Sequence, residues 1–115
     1  MRLWPYQMID VLPRKQLVSQ LRENTLISVV LDRDGKTNHM LINKVMDYDI
    51  YEFRIYCQLI VEEMYRRDYK VADKTLVKLN IDNFDTSNED YKDLKLFKEW
   101  HDERYFRQCL DHGNR

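Results

Sequence analysis

The chain has 115 residues, a formal net charge of −1, and only two glycines and two prolines. That length suits one domain with a modest core, burying roughly two thirds of the unfolded surface, and a composition 43% hydrophobic and 34% charged excludes the disordered class. So little glycine excludes collagen-like, linker-like and hairpin-dense β architectures and the Gly-rich phosphate loops, while no apolar run reaches the ~18 residues of a membrane span and Met1-Arg2-Leu3-Trp4-Pro5 does not read as a signal peptide.

Residues 1–9 are apolar and aromatic and include Pro5, which predicts an extended, packed arm. Asp10 before Val11-Leu12-Pro13 supplies a capping carboxylate and a first-turn proline. Leu17, Val18, Leu21 and Thr25 then recur at helical spacing, with Arg14, Lys15, Arg22 and Glu23 off that stripe, so a helix is expected over about 13–27. Leu26 to Leu31 is apolar and β-branched ahead of the turn Asp32-Arg33-Asp34-Gly35. It reads as a helix tail entering a buried loop, with a lone short strand as the lesser alternative. Met40, Leu41 and Val45 suggest a short helix within residues 37–46.

The strongest periodicity runs from Ile50 to Arg67, where Phe53, Cys57, Ile60, Val61 and Met64 form an apolar stripe and Glu62, Glu63, Arg66 and Arg67 fall outside it. Residues 71–88 are polar and are expected to be irregular. A fourth helical stretch is expected from Glu89 to about His101 and a short fifth from Asp102 to Leu110, stopped near Gly113. The resulting fold class is all-α, a compact single domain (residues 1–115) of four to five helices with an extended N-terminal arm.

Charge is unevenly spread. Residues 1–45 carry seven basic and four acidic groups, a balance of +3, whereas residues 46–115 carry twelve and sixteen, a balance of −4. The first part can present a basic face to a polyanion, and the second is unpromising for one. His39, His101 and His112 are scattered, with no H-E-x-x-H motif or acidic cluster beside them, so no metal site is expected. His101-Asp102 reads as a polar helix junction. Cys57 and Cys109 lack C-x-x-C partners, which excludes a disulfide framework and a zinc ribbon; both read as packing residues, and the cytoplasm is the default compartment. Tyr48, Tyr51, Tyr56, Tyr65 and Tyr69 cluster on and beside one helix, a pattern better explained by core and rim packing than by base stacking.

Several segments, taken in order, carry a resemblance. They are Met1-Arg2-Leu3-Trp4, Leu12-Pro13-Arg14-Lys15-Gln16-Leu17, Gln20-Leu21-Arg22-Glu23, Asn38 to Val45, Leu59 to Tyr69, and His101 to Leu110. Together they resemble the pyrimidine-dimer DNA glycosylase family typified by phage endonuclease V, and its bacterial branch in particular. Where that family usually has Gly after the long helix, this chain has Asp68. The resemblance implies a small, cofactor-free helical protein that removes a damaged base from double-stranded DNA and then cleaves the backbone at the abasic sugar. It implies the Met1 amine as nucleophile, Glu23 as the acid/base carboxylate, and Arg2 and Arg22 as phosphate or lesion contacts. His39 and Lys44 are further candidates for backbone contacts, set against readings as a helix-start cap and a solvated cation. In the phage enzyme a small residue follows the initiator Met and is exposed on its removal; Arg2 is bulky, so Met1 is expected to be retained. The rival expectation is a non-catalytic helical binding module that keeps the fold without the chemistry.

Overall fold

The computed structural model describes residues 2–33, 39–81 and 95–113, and among them every regular element is helical. Residues 2–5 form the extended arm, and a 3-10 helix, Tyr6–Val11, follows it. The five α-helices are α1 (Arg14–Arg33), α2 (Met40–Met46), α3 (Ile50–Arg66), α4 (Asp73–Lys78) and α5 (Glu103–Gly113). The expected all-α fold is therefore present; of the arm expected over 1–9, residues 2–5 are extended and packed, while 6–9 are wound into the 3-10 helix.

α3 is the axle of the molecule, packed against α1, α2 and the 3-10 helix, while α1 also meets α4. Asp49 starts α3 by accepting a hydrogen bond from the Tyr51 amide at 2.9 Å. The expected stripe is the buried one: Phe53, Cys57 and Ile60 are fully enclosed, and Val61 and Met64 nearly so. Glu63, expected outside, is instead buried at 4% exposure. Its two oxygens accept from Arg66 Nη1 and Arg67 Nε, each at 2.7 Å, so the carboxylate is paired rather than stranded. Arg67 reaches onward to the Ile9 and Asp10 carbonyls, fastening the end of α3 to the 3-10 helix. Tyr56 is a core residue, whereas Tyr51 and Tyr65 are half exposed on the rim.

Four further expectations need correction. Asp10 does not cap α1, because it lies inside the 3-10 helix and α1 begins only after Pro13. The Leu26–Leu31 stretch continues α1 to Arg33, and two contacts hold it helical: Ile27 sits in the core, and the buried Ser28 hydroxyl donates to the Lys78 carbonyl at 2.6 Å. Residues 71–88, expected to be irregular, include a helix, α4, which seats Leu76 against the core; residues 82–88 lie outside the described residues. The expected helix from Glu89 to His101 is absent over 95–101, its first part lying outside the described residues. Phe97 (φ 53°) and Glu99 (φ 71°) take left-handed backbone, incompatible with a continuing right-handed helix. Leu96, Phe97, Trp100 and His101 are all buried here, more than one face of a surface helix accommodates. The Glu52 side chain accepts from the Phe97 amide at 2.9 Å and locks the tight turn onto α3.

Candidate active site at the N-terminal arm

An extended arm has no ladder of its own, so its backbone groups need partners from elsewhere. They come from four elements. The Arg2 amide donates to Glu23 Oε2 at 3.4 Å, and the Trp4 amide to Gln20 Oε1 at 3.0 Å, both on α1. The Trp4 carbonyl accepts from the Tyr56 hydroxyl of α3 at 2.6 Å, and the Leu3 carbonyl from the Tyr105 hydroxyl of α5 at 2.8 Å. The Tyr6 amide donates to His101 Nδ1 at 3.1 Å, and Gln7 Nε2 to the His101 carbonyl at 3.0 Å.

This arrangement explains why the buried face of α1 is not the one its apolar spacing suggests. The enclosed positions are Leu17, Gln20, Asn24, Ile27 and Ser28, while Val18, Leu21 and Thr25 are only half buried. Gln20 and Asn24 are fully buried and bonded to each other at 2.8 Å, and Gln20 is spent on the arm. A buried polar side chain persists when it is hydrogen-bonded. Glu23, three residues beyond Gln20, stands half-buried on the edge of this face, beside the arm.

Arg2 is half-buried, its guanidinium carbon 5.3 Å from the Trp4 ring centroid. Arg2 Nη1 is buried and has no hydrogen-bond acceptor among the described residues. Burial holds the Tyr56 hydroxyl well above its usual range, aided by Tyr105, Cys57, Cys109 and, last, the Glu23 charge. Burial likewise raises Tyr105, although Arg2 opposes it. Both phenols therefore stay neutral and act as donors to the arm. His101 is lowered to about 3, chiefly by burial and then by the Lys44 charge, with Asp102 opposing. It is a neutral acceptor toward Tyr6.

Of the residues singled out in the sequence, Arg2 and Glu23 meet, and Met1 lies outside the described residues. Arg22 is exposed on α1, in a groove with Leu21, Thr25, Leu26 and Thr75. His39 is exposed at the start of α2, which it marks by its extended backbone rather than by a side-chain cap bond. Lys44 is exposed at its head, yet its Nζ sits 4.7 Å above the Trp100 ring, so it is a cation–π partner as well as a solvated charge. Among the described residues no group of three or more His, Cys, Asp and Glu could hold a metal ion, and no helix is long and apolar enough to cross a membrane. Gln20, Tyr56, His101 and Tyr105 were not singled out as site residues. Gln20, His101 and Tyr105 lie inside the segments that carry the family resemblance, but no local pattern marks any of the four as a partner of the arm.

A sequence-family model described as pyrimidine dimer DNA glycosylase matches residues 1–76. The match takes in the arm, α1 with Glu23, α2, α3 and the start of α4, and ends before α5. No curated protein and no solved structure matches the chain.

Proposed function

The chain belongs to the pyrimidine dimer DNA glycosylase family, and from that premise we propose that it both releases a damaged base and cleaves the strand at the resulting abasic sugar, using the Met1 amine as nucleophile. The observation that carries this reading is the bond from the Arg2 amide to Glu23 Oε2, because Met1 is joined to that same amide and one residue of chain spans at most about 3.6 Å.

An α-amine titrates near 7.7–8.0 and a lysine near 10.4, so at neutral pH about 10% of the amine is free base, a few hundred times the fraction of an ordinary lysine. Arg2, on the next residue, disfavours a second positive charge and shifts that balance further toward the nucleophile. The amine nitrogen attacks the anomeric carbon as the glycosidic bond breaks, and the base leaves with the bonding pair and takes up a proton. Ring opening leaves an imine between the amine and the sugar. The imine acidifies the adjacent C2′ proton; a base removes it, and the electron pair expels the 3′ phosphate. Glu23 suits two tasks in this sequence. Its charge stabilises the cationic sugar as the base departs, and its oxygen takes the C2′ proton. Arg2, next to Met1 and half-buried beside the arm, suits a contact to a phosphate or base oxygen of the substrate.

Borohydride treatment of the protein on DNA with one abasic site tests this directly. A covalent adduct is expected, with the attachment on the Met1 nitrogen by peptide mass mapping. Acetylation of that amine should abolish it. Strand cleavage without any trapped adduct would refute the amine mechanism.

A further inference from the structure

The geometry points to Tyr105 and His101 as positioning residues that hold the N-terminal arm in register with Glu23. The inference rests on the amine mechanism above and adds to it a segment, residues 101–105, that lies outside the span matched by the family model. Tyr105 donates to the Leu3 carbonyl at 2.8 Å, and His101 Nδ1 accepts from the Tyr6 amide at 3.1 Å. The imidazole is stacked between the two tyrosines, its centroid 5.8 Å from that of Tyr6 and 5.5 Å from that of Tyr105, with interplanar angles of 14° and 20°. Phe97 and Trp100 close around it at 4.8 and 5.1 Å.

The arm is thereby pinned on both sides of Trp4, which α1 and α3 hold through Gln20 and Tyr56. Leu3 is the residue that matters most: it is fully buried, and it directly follows Arg2, whose amide touches Glu23. Without the Tyr105 bond the first residues would still be tethered at Trp4 but would be freer to swing about it. Nucleophilic attack is sensitive to such freedom, since a displacement near 1 Å costs about a hundredfold in rate.

The test compares wild type with Tyr105→Phe, which removes one hydroxyl and keeps the ring. Tyr48→Phe serves as the control, since its hydroxyl donates to the Lys98 carbonyl rather than to the arm. The readouts are the rate of borohydride trapping on abasic DNA, the affinity for the same DNA, and the thermal midpoint. Tyr105→Phe should trap about tenfold more slowly or worse, with affinity within about twofold of wild type, while Tyr48→Phe traps like wild type. A parallel pair serves if Tyr105→Phe fails to fold: His101→Asn, which retains an acceptor, should trap faster than His101→Leu, which has none. Wild-type trapping rates in Tyr105→Phe and His101→Leu overturn the inference and leave the amine mechanism standing. Equal losses of trapping and affinity also overturn it, since they mark a general structural role. No trapping by the wild type overturns both.

Discussion

Glu23 and Gln20 sit three residues apart on α1 and address successive parts of the arm, the carboxylate at the Arg2 amide and the carboxamide at the Trp4 amide. Their chemistry divides accordingly. Gln20 is fully buried and its work is structural, whereas Glu23 is half-buried and carries a charge that a neutral amide cannot replace. Glu23→Gln preserves size and hydrogen-bonding reach, so damaged and abasic DNA should bind with near wild-type affinity. Strand cleavage should fall about a hundredfold or more, the usual scale for losing an acid/base or charge-stabilising group. Trapping on a pre-formed abasic aldehyde, where no base has to leave, should be less affected than base release. Gel assays of the two substrates check the division, and cleavage by Glu23→Gln at the wild-type rate would remove Glu23 from the mechanism.

Where α3 ends, the same question of backbone freedom arises in an element. Asp68 adopts φ 62°, and the Tyr69 amide reaches back to the Met64 carbonyl at 2.9 Å while the Asp68 amide bonds Tyr65 at 3.0 Å. This is a left-handed helix stop, the position where a residue without Cβ is least strained. The family resemblance puts Gly at this place, and the geometry supplies the reason. Asp68→Gly should therefore raise stability by about 0.5–1 kcal/mol, the relieved left-handed strain being partly offset by greater freedom in the unfolded chain. Urea unfolding measures it, and activity should not change, since the exposed Asp68 is not among the residues that hold the arm or Glu23.

Across the whole molecule, the aromatic cluster around His101 joins the first residues of the chain to its last helix. Because His101 titrates near 3 when folded and near 6.5 when free, the unfolded state holds more protons throughout that interval. Stability therefore rises with pH through the interval and is fully present above about 6.5; it falls on acidification by roughly 1.4 kcal/mol per unit of pH. Between about pH 7 and pH 5 this single group should remove about 2 kcal/mol, a loss His101→Asn should not share. Urea midpoints for both proteins at both values decide it. The surface gives a second molecular prediction. If roughly four phosphates are contacted, DNA affinity should drop about two orders of magnitude between about 50 and 200 mM salt. Binding indifferent to salt would favour the non-catalytic module suggested by the acidic balance of residues 46–115.

How much was present in the sequence follows from where its signals were local. The α3 stripe was explicit because Phe53, Cys57, Ile60 and Met64 are apolar and face one way, and the Met1, Arg2 and Glu23 assignment came from ordered motifs. The buried face of α1 was hidden because Gln20 and Asn24 are polar: hydropathy cannot mark as buried a side chain whose enclosure depends on a hydrogen-bond partner distant in sequence. The turn at Phe97 and Glu99 was hidden for a similar reason, since its left-handed backbone is held by Glu52 from α3 and by burial on several sides at once. His101 read locally as part of a polar junction, and Tyr105 fell inside the expected short fifth helix. Only tertiary structure brings them 95 and 102 residues back along the chain to Tyr6 and Leu3, because an extended arm has unpaired backbone groups and takes its partners from whichever elements fold around it.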